Sequence, residues 1–120
     1  MAESERYQAG IEVMEKLFGR TPKQGTMPDG MFRTTVENLF GDIWTRPGLA
    51  LEERSMITLT ALTVLGRENE LKIHLFGAKN LGIPREKLEE MMIHLAHYGG
   101  WPVAVSALRI IEQVYNRPPK

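Results

Sequence analysis

Glu70 and His74 stand four residues apart in the segment Asn69-Glu70-Leu71-Lys72-Ile73-His74. On a helix that spacing lays one side chain over the other. A carboxylate that orients and charges an imidazole is a common acid–base device near neutral pH. A second segment, His94-Leu95-Ala96-His97-Tyr98-Gly99-Gly100-Trp101-Pro102, ends one helix at Gly-Gly and opens another at Pro, leaving Tyr98 and Trp101 at the break. Arg54 and Arg67 bracket a third stretch. Either guanidinium can grip a substrate carboxylate through two parallel hydrogen bonds.

Helical geometry, at about 100° per residue, sorts these candidates. Leu71, Leu75, Ala78 and Leu81 share one face; His74 falls inside it and Glu70 lies at its border. An imidazole so placed is either a hydrogen-bonded core residue or a site residue, and spacing alone leaves both open. On the next helix the apolar stripe is centred near Leu95. His97 points nearly opposite it, as a solvated or interface residue, and His94 lies on its flank beside Met92 and Ile93. Tyr98 is either a site phenol or a helix-end aromatic whose hydroxyl reaches water. For Arg54 and Arg67 the alternative is a surface ion pair. The methionines read as adaptable core filler.

Six helices are needed to position these residues, and no segment reads as a strand. The first runs from about Ser4 to Phe18, with Ile11, Met14, Leu17 and Phe18 on one stripe and Gly19 ending it. A Pro/Gly-bearing loop leads to a short second helix, Met31 to Phe40, partly irregular up to Trp44, and Arg46-Pro47-Gly48 breaks the chain. The third spans Glu52 to Leu65, with two acids in its first turn facing the positive end of the helix dipole. From Met56 to Leu65 it carries only apolar residues and threonine. That predicts burial on most sides, by a neighbouring subunit as well as by this chain. The fourth spans Glu68 to Leu81, the fifth Pro84 to Tyr98 and the sixth Pro102 to about Tyr115, before a frayed tail over 116–120. The tight turn Gly82-Ile83-Pro84 predicts that the stripes of the fourth and fifth helices, Leu71/Leu75/Ala78 and Leu88/Met91/Leu95, pack together.

Composition narrows the chemistry. The chain has 120 residues, which predicts one domain over 1–120 with a modest core. Its 15 basic and 15 acidic residues leave no net charge, and no basic run appears, so neither nucleic acid nor an anionic membrane is the expected partner. No apolar run is long enough to span a bilayer and no secretion-type leader is visible, so a cytoplasmic protein is expected. With no cysteine, disulfides, thiolate catalysis and cysteine-held metals drop out. Three histidines remain, and only His94 and His97 are close enough in sequence to share a metal, with no third ligand in view. No metal is expected.

From Phe40 to Val114 the chain resembles the carboxymuconolactone decarboxylase family, which shares its fold with the alkylhydroperoxidase-D proteins. The resemblance rests on an ordered set: Phe40-Gly41-Asp42-Ile43-Trp44 with Arg46-Pro47-Gly48-Leu49; Glu53-Arg54-Ser55; Glu70-Leu71 with His74; Gly82-Ile83-Pro84-Arg85-Glu86; His94 to Pro102; and Ser106-Ala107-Leu108. It implies an all-α, alkylhydroperoxidase-D-like fold assembled as a homo-oligomer, a hexamer or trimer. The peroxidase branch uses a Cys-x-x-Cys that this chain lacks, so the resemblance implies the decarboxylase branch and not a thiol peroxidase. Those enzymes convert 4-carboxymuconolactone to the enol-lactone of 3-oxoadipate in aromatic catabolism without a cofactor.

Such a reaction needs a cation to place carboxylates, a donor at the lactone oxygen and a proton donor. The expected catalytic residues are His74, Glu70 and His94. Arg54, Tyr98, Trp44 and Trp101 are expected around a small anionic lactone, with His94 or Tyr98 facing the same cavity as His74. Two alternatives stay open: an isomerase or hydrolase of a similar lactone using the Glu70–His74 pair, or a non-catalytic helical oligomer that binds a small ligand.

Overall fold

Glycine, proline and serine set the ends of the helices. In the computed structural model, which describes residues 4–116, six α-helices and a π-helical segment follow one another, with no strand among the described residues. Helix α1 (Glu5–Phe18) opens on Ser4, whose hydroxyl accepts from the Tyr7 amide at 3.0 Å, and closes on Gly19 in the left-handed region. Helix α2 (Asp29–Thr34) runs directly into the π-helix Thr35–Ile43. Helices α3 (Leu51–Val64), α4 (Glu68–Asn80), α5 (Arg85–Tyr98) and α6 (Trp101–Tyr115) complete the chain. The expected spans hold to within a residue or two except the second, expected over Met31 to Phe40, whose α-helical part ends at Thr34. The irregularity expected near Trp44 is the π-helix, and most of the expected frayed tail lies outside the described residues. No helix among them is long and apolar enough to cross a membrane.

The helices fall into two compact units, 1–51 and 52–120. In the first, α1 lies along the π-helix. The wider π turn brings Val36, Phe40 and Trp44 to one buried side at four-residue steps. Phe40 meets Phe18 edge-on, with ring centroids 6.0 Å apart, and Trp44 at 5.5 Å. Two glycines allow the backbones to touch: a Cβ on Gly10 would overlap the Val36 carbonyl, and one on Gly41 the Arg6 carbonyl.

In the second unit α6 is the close neighbour of both α5 and α4. This corrects the expected pairing: the stripes of α4 and α5 do share a core, but they meet along α6 instead of mainly across their own turn. Ala104, Ala107 and Ile111 of α6 stand there with Leu71 and Leu75 of α4 and Leu88 and Met92 of α5. A stripe fixes which face is buried, not which helix covers it. Helix α3 adds Leu59, Ser55 and Thr63 to the interior. Its other side, with Ile57, Val64 and Leu65, is exposed in the single chain.

The end of α6 is tied down by polar contacts. The Tyr115 hydroxyl donates to the Ile83 carbonyl at 2.7 Å, Lys79 Nζ to the Val114 carbonyl at 3.2 Å, and Arg85 to Asn116 Oδ1 at 2.6 Å. Burial pushes the Tyr115 phenol up to about 12 from its usual 10.0.

Two stability predictions follow from these contacts. Gly41→Ala should cost about 1–3 kcal/mol in urea unfolding, as overpacking against backbone does, whereas Gly48→Ala, with open space around it, should stay within about 0.5 kcal/mol. Tyr115 stabilises the fold as the neutral phenol. Its contribution is therefore complete below pH 10 and lost as pH rises from 10.0 towards about 12. Tyr115→Phe should lose about 1 kcal/mol at pH 7 and show a smaller further loss than the parent between those pH values in the same assay.

Candidate active site

Helix α4 carries His74 between Leu71 and Leu75, so its imidazole enters an apolar layer. The side chain is half-buried and Nδ1 is shielded from solvent. Burial removes hydration from the charged form and lowers the His74 pKa from its usual 6.5. A carboxylate in charge contact would push the other way, so desolvation dominates. Glu70 lies one turn earlier. Its Oε1 accepts from Arg67 Nε at 3.0 Å, an i, i+3 pair at the start of α4. The carboxylate expected to serve His74 thus has the Arg67 guanidinium as a partner.

Arg54 occupies the first turn of α3, half-buried, with Nε shielded from solvent. Its carbonyl accepts from the Thr58 hydroxyl at 2.8 Å, which steadies the turn. Ser55 beside it is fully buried, and its hydroxyl has no hydrogen-bond partner. A buried hydroxyl in that state costs roughly 1–3 kcal/mol. Arg54, Ser55 and His74 thus give the second unit three polar side chains with shielded atoms on α3 and α4. Shielding strengthens any charge interaction made there.

The remaining candidates are on the outside or in the other unit. His94 is exposed and stacks on Tyr98, with centroids 5.0 Å apart. His97 meets Trp101 edge-on at 5.1 Å and donates from Nδ1 to the Ile93 carbonyl at 2.9 Å. Trp44 is buried in the first unit against Phe40. An open groove of about 340 Å³ runs between α3 and α5, lined by Thr60, Lys87, Glu90, Met91, His94 and Leu95. Neither His74 nor Arg54 lines it. Among the described residues no three His, Asp or Glu side chains gather as a metal site.

Sequence reasoning passed over Ser55 as a site residue, because a serine in a helix carries no signal of its own burial. The groove was legible in part. Lys87, Glu90 and His94, at steps of three and four, fall on one face of α5, and Thr60 is a polar position in an otherwise apolar run.

The profile of the Carboxymuconolactone decarboxylase family matches residues 29–113. The chain is 31% identical over 122 aligned positions to the 4-carboxymuconolactone decarboxylase of Acinetobacter baylyi, covering 97% of this chain and 91% of that protein. It is 32% identical to the nitrosuccinic acid decarboxylase of Metarhizium robertsii over 81 positions, covering 68% of this chain and 57% of that one. An uncharacterised 15.0 kDa protein of Paracoccus denitrificans is 30% identical over 107 positions, covering 88% of this chain and 72% of its own length.

His74 gives the site a pH signature. Because its folded pKa lies below 6.5, the unfolded chain takes up the proton first as pH falls. Stability is flat in this respect above 6.5 and declines below it, with a slope no steeper than about 1.4 kcal/mol per pH unit. Urea midpoints between pH 7.5 and 5.5 should fall for the parent protein, and the part of the fall due to this residue should vanish in His74→Gln.

Proposed function

The chain belongs to the carboxymuconolactone decarboxylase family, and we propose that it is a cofactor-independent decarboxylase of a small anionic substrate, 4-carboxymuconolactone or a close relative, acting in the cytoplasm in aromatic catabolism. The observation that carries the reading is the half-buried His74, its charge disfavoured by burial, in a chain aligned along nearly its whole length with a decarboxylase of that substrate.

The chemistry explains why these residue types suffice. In the lactone, the departing carboxylate leaves electrons that flow through the alkene into the lactone carbonyl. In a nitrosuccinate they would flow into the nitro group. Either way the substrate is its own electron sink, and the protein has to place the anion, stabilise charge on the acceptor oxygen and return one proton to carbon. Arg54 holds a substrate carboxylate through its planar fork. His74 is uncharged at neutral pH in the free protein. An anion arriving beside it favours the imidazolium, so it takes up a proton and gives it to the carbanion once carbon dioxide has left. Glu70 with Arg67 frames the start of α4 and sets the local field. The protein acts as a homo-oligomer, supported by α3, which carries apolar side chains on both its buried and its exposed sides.

Turnover of 4-carboxymuconolactone, followed by ultraviolet absorbance with carbon dioxide release measured in parallel, tests the reading. His74→Ala should lower kcat about 10²–10⁴-fold while the protein stays folded, and Arg54→Lys should chiefly raise KM. Loss of the lactone without carbon dioxide would instead establish an isomerase or hydrolase. Unaltered kcat in His74→Ala would remove the histidine from the mechanism.

A further inference from the structure

Helix α3 carries four hydroxyls, and three of them bond to its own backbone. Thr58 donates to the Arg54 carbonyl at 2.8 Å, Thr60 to the Met56 carbonyl at 2.9 Å and Thr63 to the Leu59 carbonyl at 2.7 Å. Ser55 is the exception. It is as deeply buried as Thr63, yet its hydroxyl does not turn back to the Leu51 carbonyl or bond to any other group among the described residues. The carbonyl four residues earlier is the local solution open to any hydroxyl in a helix. A buried hydroxyl left without a partner bears an uncompensated desolvation cost, which alanine would avoid while favouring the helix more. A use for this oxygen therefore has to come from outside α3.

The fold offers one. Three residues join α3 to α4, and the Arg67 amide donates to the Leu62 carbonyl at 2.9 Å where the chain turns back. Counted outward from that bond, Ser55 and His74 each lie seven residues along their helices. Ser55 shares the buried side of α3 with Leu59, and Leu59 shares a core with Leu71 and Leu75, which flank His74 on α4. His74 Nδ1, like Ser55 Oγ, is shielded from solvent.

We propose that Ser55 is a positioning residue for His74: its oxygen accepts from Nδ1–H, directly or across one bound water, and so fixes which ring nitrogen carries the proton. The assignment rests on the reading of His74 as the proton donor and deepens it. A hydroxyl suits this role better than a carboxylate. It accepts from Nδ1–H in both the neutral and the charged ring, so the contact survives proton transfer. Being uncharged, it does not oppose the desolvation that disfavours the imidazolium in the empty site. Nε2 is then the basic nitrogen, the one that takes up the proton and gives it to carbon. The Ser55 proton can turn to the Leu51 carbonyl, as the three threonines do to theirs, so no donor is stranded. Glu70, the other candidate to orient the ring, is bonded to Arg67.

Nitrogen NMR of the imidazoles tests this in the resting protein, without turnover. The His74 signals, assigned by their loss in His74→Gln, should report the proton on Nδ1. In Ser55→Ala, with its helical circular dichroism retained, they should move to a mixture of the two tautomers. In turnover of 4-carboxymuconolactone, Ser55→Ala should lower kcat about 10–100-fold, the worth of one hydrogen bond to a charged group, with KM little changed; Ser55→Thr, which keeps the hydroxyl, should recover part of the loss. A parent His74 protonated on Nε2 would overturn the proposal, as would a folded Ser55→Ala whose His74 signals match the parent's. So would a Ser55→Ala that unfolds at higher urea than the parent and turns over as fast, which would make the hydroxyl idle. If the parent leaves the lactone unchanged while the tautomer responds to Ser55→Ala, the substrate reading fails and the positioning role stands.

Discussion

The second unit depends on one contact, the burial of the inner side of α3, a helix that carries apolar side chains on its outer side as well. Its inner side delivers Leu59, Ser55 and Thr63 to the core of the second unit, and its outer side keeps Ile57, Val64 and Leu65 at the surface of the single chain. Much else in this unit follows from the inner contact. Thr63 donates back to the Leu59 carbonyl at 2.7 Å and lies 3.9 Å from the Met92 sulfur, so even the hydroxyl at this position is used within the core. At its other end the same helix buries Ser55 and shields the Nε of the half-buried Arg54. Arg54, the side chain proposed to hold an anion, thus stands on the helix whose burial fixes this core.

Much of the architecture was legible because the punctuation is local. Gly19 and Gly82 end or follow helices with positive φ, and Pro84 and Pro102 open the next ones; none of these needs a distant partner to act. The π-helix was legible only as irregularity, since its extra residue per turn is stabilised by what Val36, Phe40 and Gly41 pack against, which no local signal contains. The central place of α6 was not legible at all. Its stripe is as apolar as its neighbours', and three similar stripes admit several pairings.

The site divides along the same line. That His74 falls within a buried face was readable from the leucines around it, and burial is what disfavours its charge. The partner of Glu70 was harder: Arg67 at i−3 and His74 at i+4 compete for one carboxylate by spacing alone, and the structure shows the guanidinium bonded to it. For His94, Tyr98 and Trp101 the residue types were legible but their burial was not. A residue at a helix break can turn inward or outward at little local cost, and here the three lie outward.

The inner and outer polar groups of the second unit differ in their access to water. His94, with Lys87 and Glu90, lines an open groove in which solvent screens each charge. His74 is held where an imidazolium is disfavoured until an anion brings compensating charge. In a decarboxylation that difference has a direction. The reaction consumes one proton, and it is needed only after carbon dioxide has left. A group already charged in the empty site would bind substrate well but would gain nothing further from its arrival. One that becomes charged because the substrate is present couples proton uptake to occupancy, and holds the proton where the new carbanion forms. If His74 is the proton donor proposed above, desolvation of a single imidazole links binding to the later chemical step.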